Sequence, residues 1–188
     1  ALIFVSQTAD YILPATACIL QDRLGLSKEC YALDVALGCS GWVYGLSVIA
    51  GLLSKEGITK ALLLAGDAKK RAQGASDPLF GHAGTVTAVE YSEGAAGFKF
   101  HVGTDGSGFD AIITPDGGSR NQFTEDSLKL IQDSDGVTRH RLQTVMKGMD
   151  VFAFGITTVP KTVKKLLEKH QISIDSIDYF VFHQANKM

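Results

Sequence analysis

The first third of the chain alternates apolar runs with turn residues. Ala1–Gln7 is apolar over most of its length and reads as a buried strand, and Ala15–Leu24 reads as a helix with Pro14 at its first turn. Tyr31–Val35 is a short strand that runs into Gly38-Cys39-Ser40-Gly41. An apolar helix follows over Trp42–Leu53, closed by Gly57. Lys60–Gly66 is a further apolar strand. Strand and helix in strict alternation predict a parallel sheet with helices on its faces.

Beyond this point the pattern changes. Thr85–Tyr91 and Gly97–Val102 both read as strands, and the Ser92–Ala96 turn between them predicts an antiparallel hairpin. Ala111–Thr114 is another short strand, and Gly117 to Thr144 is polar and reads as surface loop. Met146–His170 is helical in pattern, with Pro160 expected to kink or split it. Ile177–Phe182 is the last predicted strand. The change of texture near Ser92–Asp105 divides the chain into two parts, residues 1–95 and 96–188.

Composition narrows the class. A hydrophobic share of 45% and a charged share of 20% over 188 residues describe a globular chain. A net charge of −2 argues against general nucleic-acid or membrane-surface binding. Three cysteines without a C-x-x-C pair fit neither a zinc knuckle nor a dithiol centre, and point to a reducing, cytoplasmic setting. Val35–Ser54 is uncharged and long enough to span a membrane. Its four glycines and three serines, and its strand-and-turn opening, make it a buried central helix instead. Ala1–Ser6 lacks the basic leader of a signal peptide. The chain opens in mid-strand and stops just after another, so a piece of a longer protein is expected. No P-loop, nucleotide fingerprint or metal-ligand spacing is present in the sequence.

Two residues stand out chemically. Cys39 lies between a strand and the start of a helix, where free backbone N–H groups favour negative charge on sulfur. The flanking glycines allow a sharp turn and a close substrate approach. The plain alternative is an inert buried cysteine, which is also the reading for Cys18 and Cys30. His183 follows the apolar run that ends at Phe182, and the C-terminal ends of buried strands are where open α/β sheets place their sites. Its plain alternative is a histidine satisfied by its surroundings. His82, His101, His140 and His170 are weaker candidates.

Five segments occur in order: Asp34-Val35-Ala36-Leu37-Gly38-Cys39-Ser40-Gly41, Leu79-Phe80-Gly81-His82-Ala83-Gly84-Thr85, Gly103-Thr104-Asp105-Gly106-Ser107-Gly108, Gly117-Gly118-Ser119-Arg120 and His183-Gln184-Ala185-Asn186. Together they resemble the β-ketoacyl-acyl-carrier-protein synthase III family of the thiolase superfamily. The resemblance implies an α/β thiolase-like fold of two related βαβαβαββ halves, both incomplete in this chain. It implies acyl transfer from acyl-CoA to Cys39, then decarboxylative condensation with a malonyl group on acyl carrier protein. His183 would support the decarboxylation, together with an asparagine beyond Met188. No resident cofactor is implied, since acyl-CoA and the malonyl carrier are substrates.

By the same resemblance, Leu13, Gly148, Met149, Phe152 and Asn186 are candidate substrate-binding residues. A homodimer is implied, with Ala1–Gln7, Thr8–Ala17 and the Cys30–Val35 region near its interface. Departures from the family pattern are His82, where aspartate is usual, Leu13, where some members carry an aromatic, and Met149, where many are polar. Lys69-Lys70-Arg71, Arg139 with Arg141, and Lys187 are candidate contacts for an acidic carrier protein, or else ordinary surface charges. The rival functions are acyl transfer to an alcohol or amine and a non-catalytic fragment. A papain-like hydrolase lacks its local cysteine signature.

Overall fold

The computed structural model describes residues 1–68, 81–133 and 136–184. The described chain falls into two compact units, one of Ala1–Phe100 to which the chain returns at Phe180, the other of His101–Tyr179.

The first unit is built on a four-stranded sheet. Its strands are β1 (Leu2–Val5), β2 (Ala32–Val35), β3 (Lys60–Asp67) and β4 (Ala83–Glu90), in the order β2-β1-β3-β4. β1 is parallel to both β2 and β3, with Val5 opposite Val35 on one side and Ala65 on the other. β4 runs antiparallel to β3 over its full length. Helices α1 (Thr16–Arg23) and α2 (Gly41–Leu52) connect the parallel strands, as the alternating pattern predicts.

The core lies where α2 meets the sheet. Ile3, Ile49 and Leu63 are fully buried there, with Val5, Leu46 and Ala61 around them. Burying each large aliphatic side chain contributes about 1.5–3 kcal/mol. Helix α2 approaches closely because its sheet-facing side carries glycines. A Cβ on Gly41 would collide with Cγ1 of Val5, and one on Gly45 would sit 2.6 Å from Cδ1 of Leu63 and 2.9 Å from Cγ2 of Val5.

Helix α1 has no side-chain cap of its own, since Ala15 holds the capping position. The carboxylate of Asp34 takes over from the neighbouring strand. Its Oδ2 accepts from the Thr16 N–H and its Oδ1 from the Ala17 N–H, both at 2.7 Å. An anion at that end also meets the positive pole of the helix.

The second unit contains two small antiparallel pairs, β5 (Ile112–Ile113) with β8 (Val145–Met146), and β6 (Ile131–Gln132) with β7 (Thr138–Arg139). Gly117–Thr144 is therefore not wholly irregular. A single-turn helix at Glu125–Leu128 and the β6–β7 hairpin lie inside it. Asp116 ties the segment together: Arg141 donates Nε to both its oxygens at 3.0 and 2.9 Å, and the buried Ser127 hydroxyl donates at 2.8 Å. Helix α3 (Gly148–His170) is continuous, so Pro160 does not split it. Proline removes a single backbone bond, and the turns on either side hold the helix together.

Two predicted strands are absent. Gly97–Val102 is in no strand ladder among the described residues, and β4 lies along β3. The Phe98 and Phe100 rings meet there at a tilt of 36° with centroids 5.9 Å apart, and Phe100 packs against the core. Ile177–Phe182 also forms no ladder, since a strand exists only beside another and no neighbour is supplied among the described residues. Its Tyr179 and Val181 are 87% and 94% exposed.

Candidate active site

The parallel strands β1 and β2 end at the same edge of the sheet, and the turn that carries Cys39 leaves from that edge. After Val35 the chain turns back through Leu37 N–H to Val35 C=O (3.0 Å) and Gly41 N–H to Gly38 C=O (2.8 Å). Helix α2 then begins, with Ser40 at its capping position. No side chain caps this end, and its first turn holds no acidic residue. The N-terminal N–H groups of α2 therefore face no internal anion close to Cys39, a setting that favours negative charge there. Cys39 is exposed and reduced. The sequence placed it correctly at a strand-to-helix turn, and the buried-cysteine alternative does not hold. It does not hold for Cys18, which is exposed on the outer side of α1, or for the half-buried Cys30 either.

A neighbour missed in the sequence is Gln7. It follows the last β1 residues, and its carboxamide lies against the α-carbon of Gly38. A Cβ on Gly38 would sit 2.8 Å from Oε1, 2.9 Å from Cδ and 3.1 Å from Nε2 of Gln7. The signal was the abrupt change from the apolar run to Ser6-Gln7-Thr8 at a strand end, the same signal used for His183. The Gln7 backbone N–H donates to Asp67 Oδ1 at 2.7 Å, and the hydroxyls of Ser6 and Thr8 donate to the same oxygen at 2.8 and 3.1 Å.

The other expected site residues are more scattered. His183 is exposed on the unpaired segment that ends the described chain, and no hydrogen bond links it to Cys39. Leu13 is 84% exposed, at a tip it shares with the exposed Tyr11 and Ile12. Gly148 opens α3, Met149 is exposed and Phe152 is half-buried, all in the second unit. His82 is exposed just before β4. Asn186, Lys69-Lys70-Arg71, Lys187 and the Leu79-Phe80 part of its motif lie outside the described residues.

Charge near these positions is largely committed. Arg139 pairs with Asp133 at 2.9 Å and Arg141 with Asp116, so neither presents a free cation to a partner. Lys147 donates to Asp110 at 2.6 Å; that hydrogen bond, with the opposite charge, raises the lysine above its ordinary value and lowers the aspartate. The Arg141 hydrogen bonds, then the Ser127 hydroxyl, hold Asp116 below the usual carboxylate range. A cavity of about 560 Å³ opens at the opposite end of the sheet from Cys39, between Ala1, Leu26, Cys30, Lys60 and Glu90. The Cys30 thiol there donates to the Tyr31 carbonyl at 3.6 Å. Among the described residues, no helix is long and apolar enough to cross a membrane, and no group of three or more His, Cys, Asp or Glu could hold a metal ion.

A mixed α/β sheet with the Cys39 turn at the C-terminal edge of its parallel strands matches one class: the fold is thiolase-like. A crystal structure of a 3-oxoacyl-(acyl-carrier-protein) synthase III superposes with a TM-score of 0.91 at 37% identity, over 99% of this chain and 57% of that one. The 3-oxoacyl-(acyl-carrier protein) synthase of Burkholderia xenovorans LB400 gives 0.78 at 36% identity, over 98% and 52%. The β-ketoacyl-[acyl-carrier-protein] synthase III of Fusobacterium nucleatum is 32% identical over 195 residues, covering 98% of this chain and 55% of its own length. Residues 33–106, which include the Cys39 turn, match the profile of 3-oxoacyl-[acyl-carrier-protein (ACP)] synthase III. The chain is similar to members of the 3-oxoacyl-[acyl-carrier-protein] synthase III family along almost its whole length. It spans about half the length of the curated relatives it matches.

Proposed function

We propose that the intact protein joins an acyl thioester to a malonyl thioester, with Cys39 as the acyl-accepting nucleophile. The observation that carries this reading is an exposed cysteine at the uncapped N-terminus of α2, in a chain similar to this family. The Cys39 sulfur attacks the thioester carbonyl carbon of acyl-CoA. The carbon–sulfur bond to CoA breaks, and CoA leaves as its thiolate, taking up the proton that Cys39 gave. One C–S bond replaces another, so the exchange is nearly balanced. The Cys39 backbone N–H is the expected donor to the transient oxyanion, and losing such a donor typically costs about a hundredfold or more in rate.

In the second half-reaction the malonyl thioester loses CO2. The resulting α-carbon attacks the acyl carbonyl on Cys39, the bond to sulfur breaks, and the released thiolate takes a proton from solvent to restore the starting thiol. His183 is proposed to donate a hydrogen bond to the enolate oxygen that develops. This reading takes acyl-CoA and acyl carrier protein as substrates with no resident cofactor, in a cytoplasmic homodimer. The exposed apolar tip Tyr11–Leu13 supports a protein neighbour there.

The test is intact mass of the purified protein before and after short and medium acyl-CoAs. An acyl shift that disappears in Cys39→Ala supports the assignment, and no adduct on Cys39 with any of them refutes it. Malonyl-dependent CO2 release then separates condensation from acyl transfer to an alcohol or amine.

A further inference from the structure

Beyond Val5 the paired register of β1 ends, yet its chain stays tied to both neighbours. Toward β3 the tie is Asp67, the last residue of that strand. Its Oδ1 accepts from the Ser6 hydroxyl, the Gln7 N–H and the Thr8 hydroxyl at 2.8, 2.7 and 3.1 Å. Each hydroxyl in turn accepts a backbone N–H: Ser6 Oγ from Thr8 at 3.0 Å, and Thr8 Oγ1 from Ala68 at 3.1 Å. An ionised carboxylate only accepts and a hydroxyl has one hydrogen, so the direction of these bonds is fixed. Toward β2 the tie is the Ser6 N–H, which donates to the Val35 carbonyl at 3.2 Å. That same carbonyl receives the Leu37 N–H at 3.0 Å, the first bond of the turn that carries Cys39. Asp67 is itself held from its other side, opposite Ala83 in the β3–β4 ladder. A continuous set of hydrogen bonds thus runs from that strand pair, through the buried Ser6, to the base of the Cys39 turn.

We propose that Asp67 is a positioning residue for Cys39, acting through Ser6 and the Val35 carbonyl to hold the turn in the geometry that acyl transfer needs. This rests on the reading of Cys39 as the acyl acceptor. Reacting groups must be held within about 0.5 Å of their productive placement, so slack at the base of the turn slows the chemical step. It leaves the grip on the acyl-CoA unchanged, because Asp67 contributes to the placement of sulfur and not to binding.

The experiment follows acylation of the Cys39 peptide by butyryl-CoA and octanoyl-CoA, using rapid quenching and mass spectrometry. The intact protein is used as wild type, Asp67→Ala, Asp67→Asn and Ser6→Ala, with a thermal melt of each. The rate constant at saturating acyl-CoA should fall by about ten- to a hundredfold in Asp67→Ala and Ser6→Ala, with the half-saturating concentration unchanged. Asp67→Asn keeps an acceptor oxygen and should recover most of the rate. Alkylation of Cys39 by iodoacetamide, which needs an exposed thiol but no oriented partner, should match wild type throughout. A purely structural role would instead lower the fraction of protein acylated and leave the rate constant of the folded fraction alone. An unchanged rate constant in the folded variants overturns the proposal, and so does alkylation that slows in step with acylation. If Asp67→Ala does not fold, Ser6→Ala decides alone. If wild type is acylated and the variants keep its rate, only this inference fails. If neither thioester acylates wild-type Cys39, the acyl-acceptor reading fails and this inference with it.

Discussion

Replacing Gly41 by alanine tests whether the close seat of α2 on the sheet sets the position of Cys39, the proposed nucleophile. The added Cβ would overlap Cγ1 of Val5 and lie 3.2 Å from Cβ of Leu37. Carbon atoms settle at about 3.5–4.0 Å, so the gap to Val5 must open by about 1 Å. Val5 cannot yield easily. It is 3% exposed, β-branched, and held in β1 between two strands. The start of α2 must move instead, and Cys39 stands two residues before it. Overpacking of this kind costs about 1–3 kcal/mol. The return from better helix propensity, about 1 kcal/mol in a helix interior, is smaller at the first helical residue. Gly41→Ala should therefore destabilise the protein by about 1–3 kcal/mol in urea unfolding.

Displacing a reacting group by about 1 Å can cost a hundredfold, so acylation of Cys39 should slow by about ten- to a hundredfold in the same variant. Gly51→Ala in the same helix is the control, because a Cβ there meets nothing within 4 Å. It should stabilise by up to about 1 kcal/mol with Cys39 reactivity unchanged. The reasoning is refuted if Gly41→Ala behaves like Gly51→Ala.

Asp34→Ala removes the acceptor for two N–H groups of α1 and should cost about 0.5–2 kcal/mol in chemical denaturation, with Asp34→Asn recovering part of it. Ile49→Ala, at a fully buried core position, should cost about 2–5 kcal/mol by the same measurement. Asp116 is held below its ordinary 3.8 when folded. Its contribution is therefore complete above about pH 5 and fades as pH falls through 3.8 towards the folded value. Melting points of wild type and Asp116→Asn should converge on acidification through that range, and a constant gap would contradict the assignment.

What could be read from the sequence was whatever depends on neighbours in the chain. The strand–turn–helix around Cys39 is set by a run of apolar residues, two glycines and a helix start, all within a short segment, and the structure keeps every part of it. The strands predicted at Gly97–Val102 and Ile177–Phe182 have sound local patterns but form no ladder among the described residues, and pairing is not a local property. The β6–β7 hairpin went unseen because its strands are two residues each and its polar surroundings mask them. Gln7 was invisible as a site residue for a related reason. Its importance comes from Gly38, thirty-one positions along the chain, and only parallel pairing of β1 and β2 brings the two ends together.

The cap on α1 has a consequence for the order in which this unit assembles. An eight-residue helix without its own capping side chain is too short to persist alone in water, where helices under about 12 residues are marginal. Its missing acceptor arrives from a strand eighteen residues later, so α1 cannot be an early local nucleus. It should appear together with β2, late and cooperatively, and a peptide of residues 9–26 should be unstructured. In kinetic experiments, Asp34→Ala should speed unfolding and slow refolding in the same proportion as substitutions within β2. The acid that ends one helix's disorder thus also fixes when the segment leading to Cys39 takes shape.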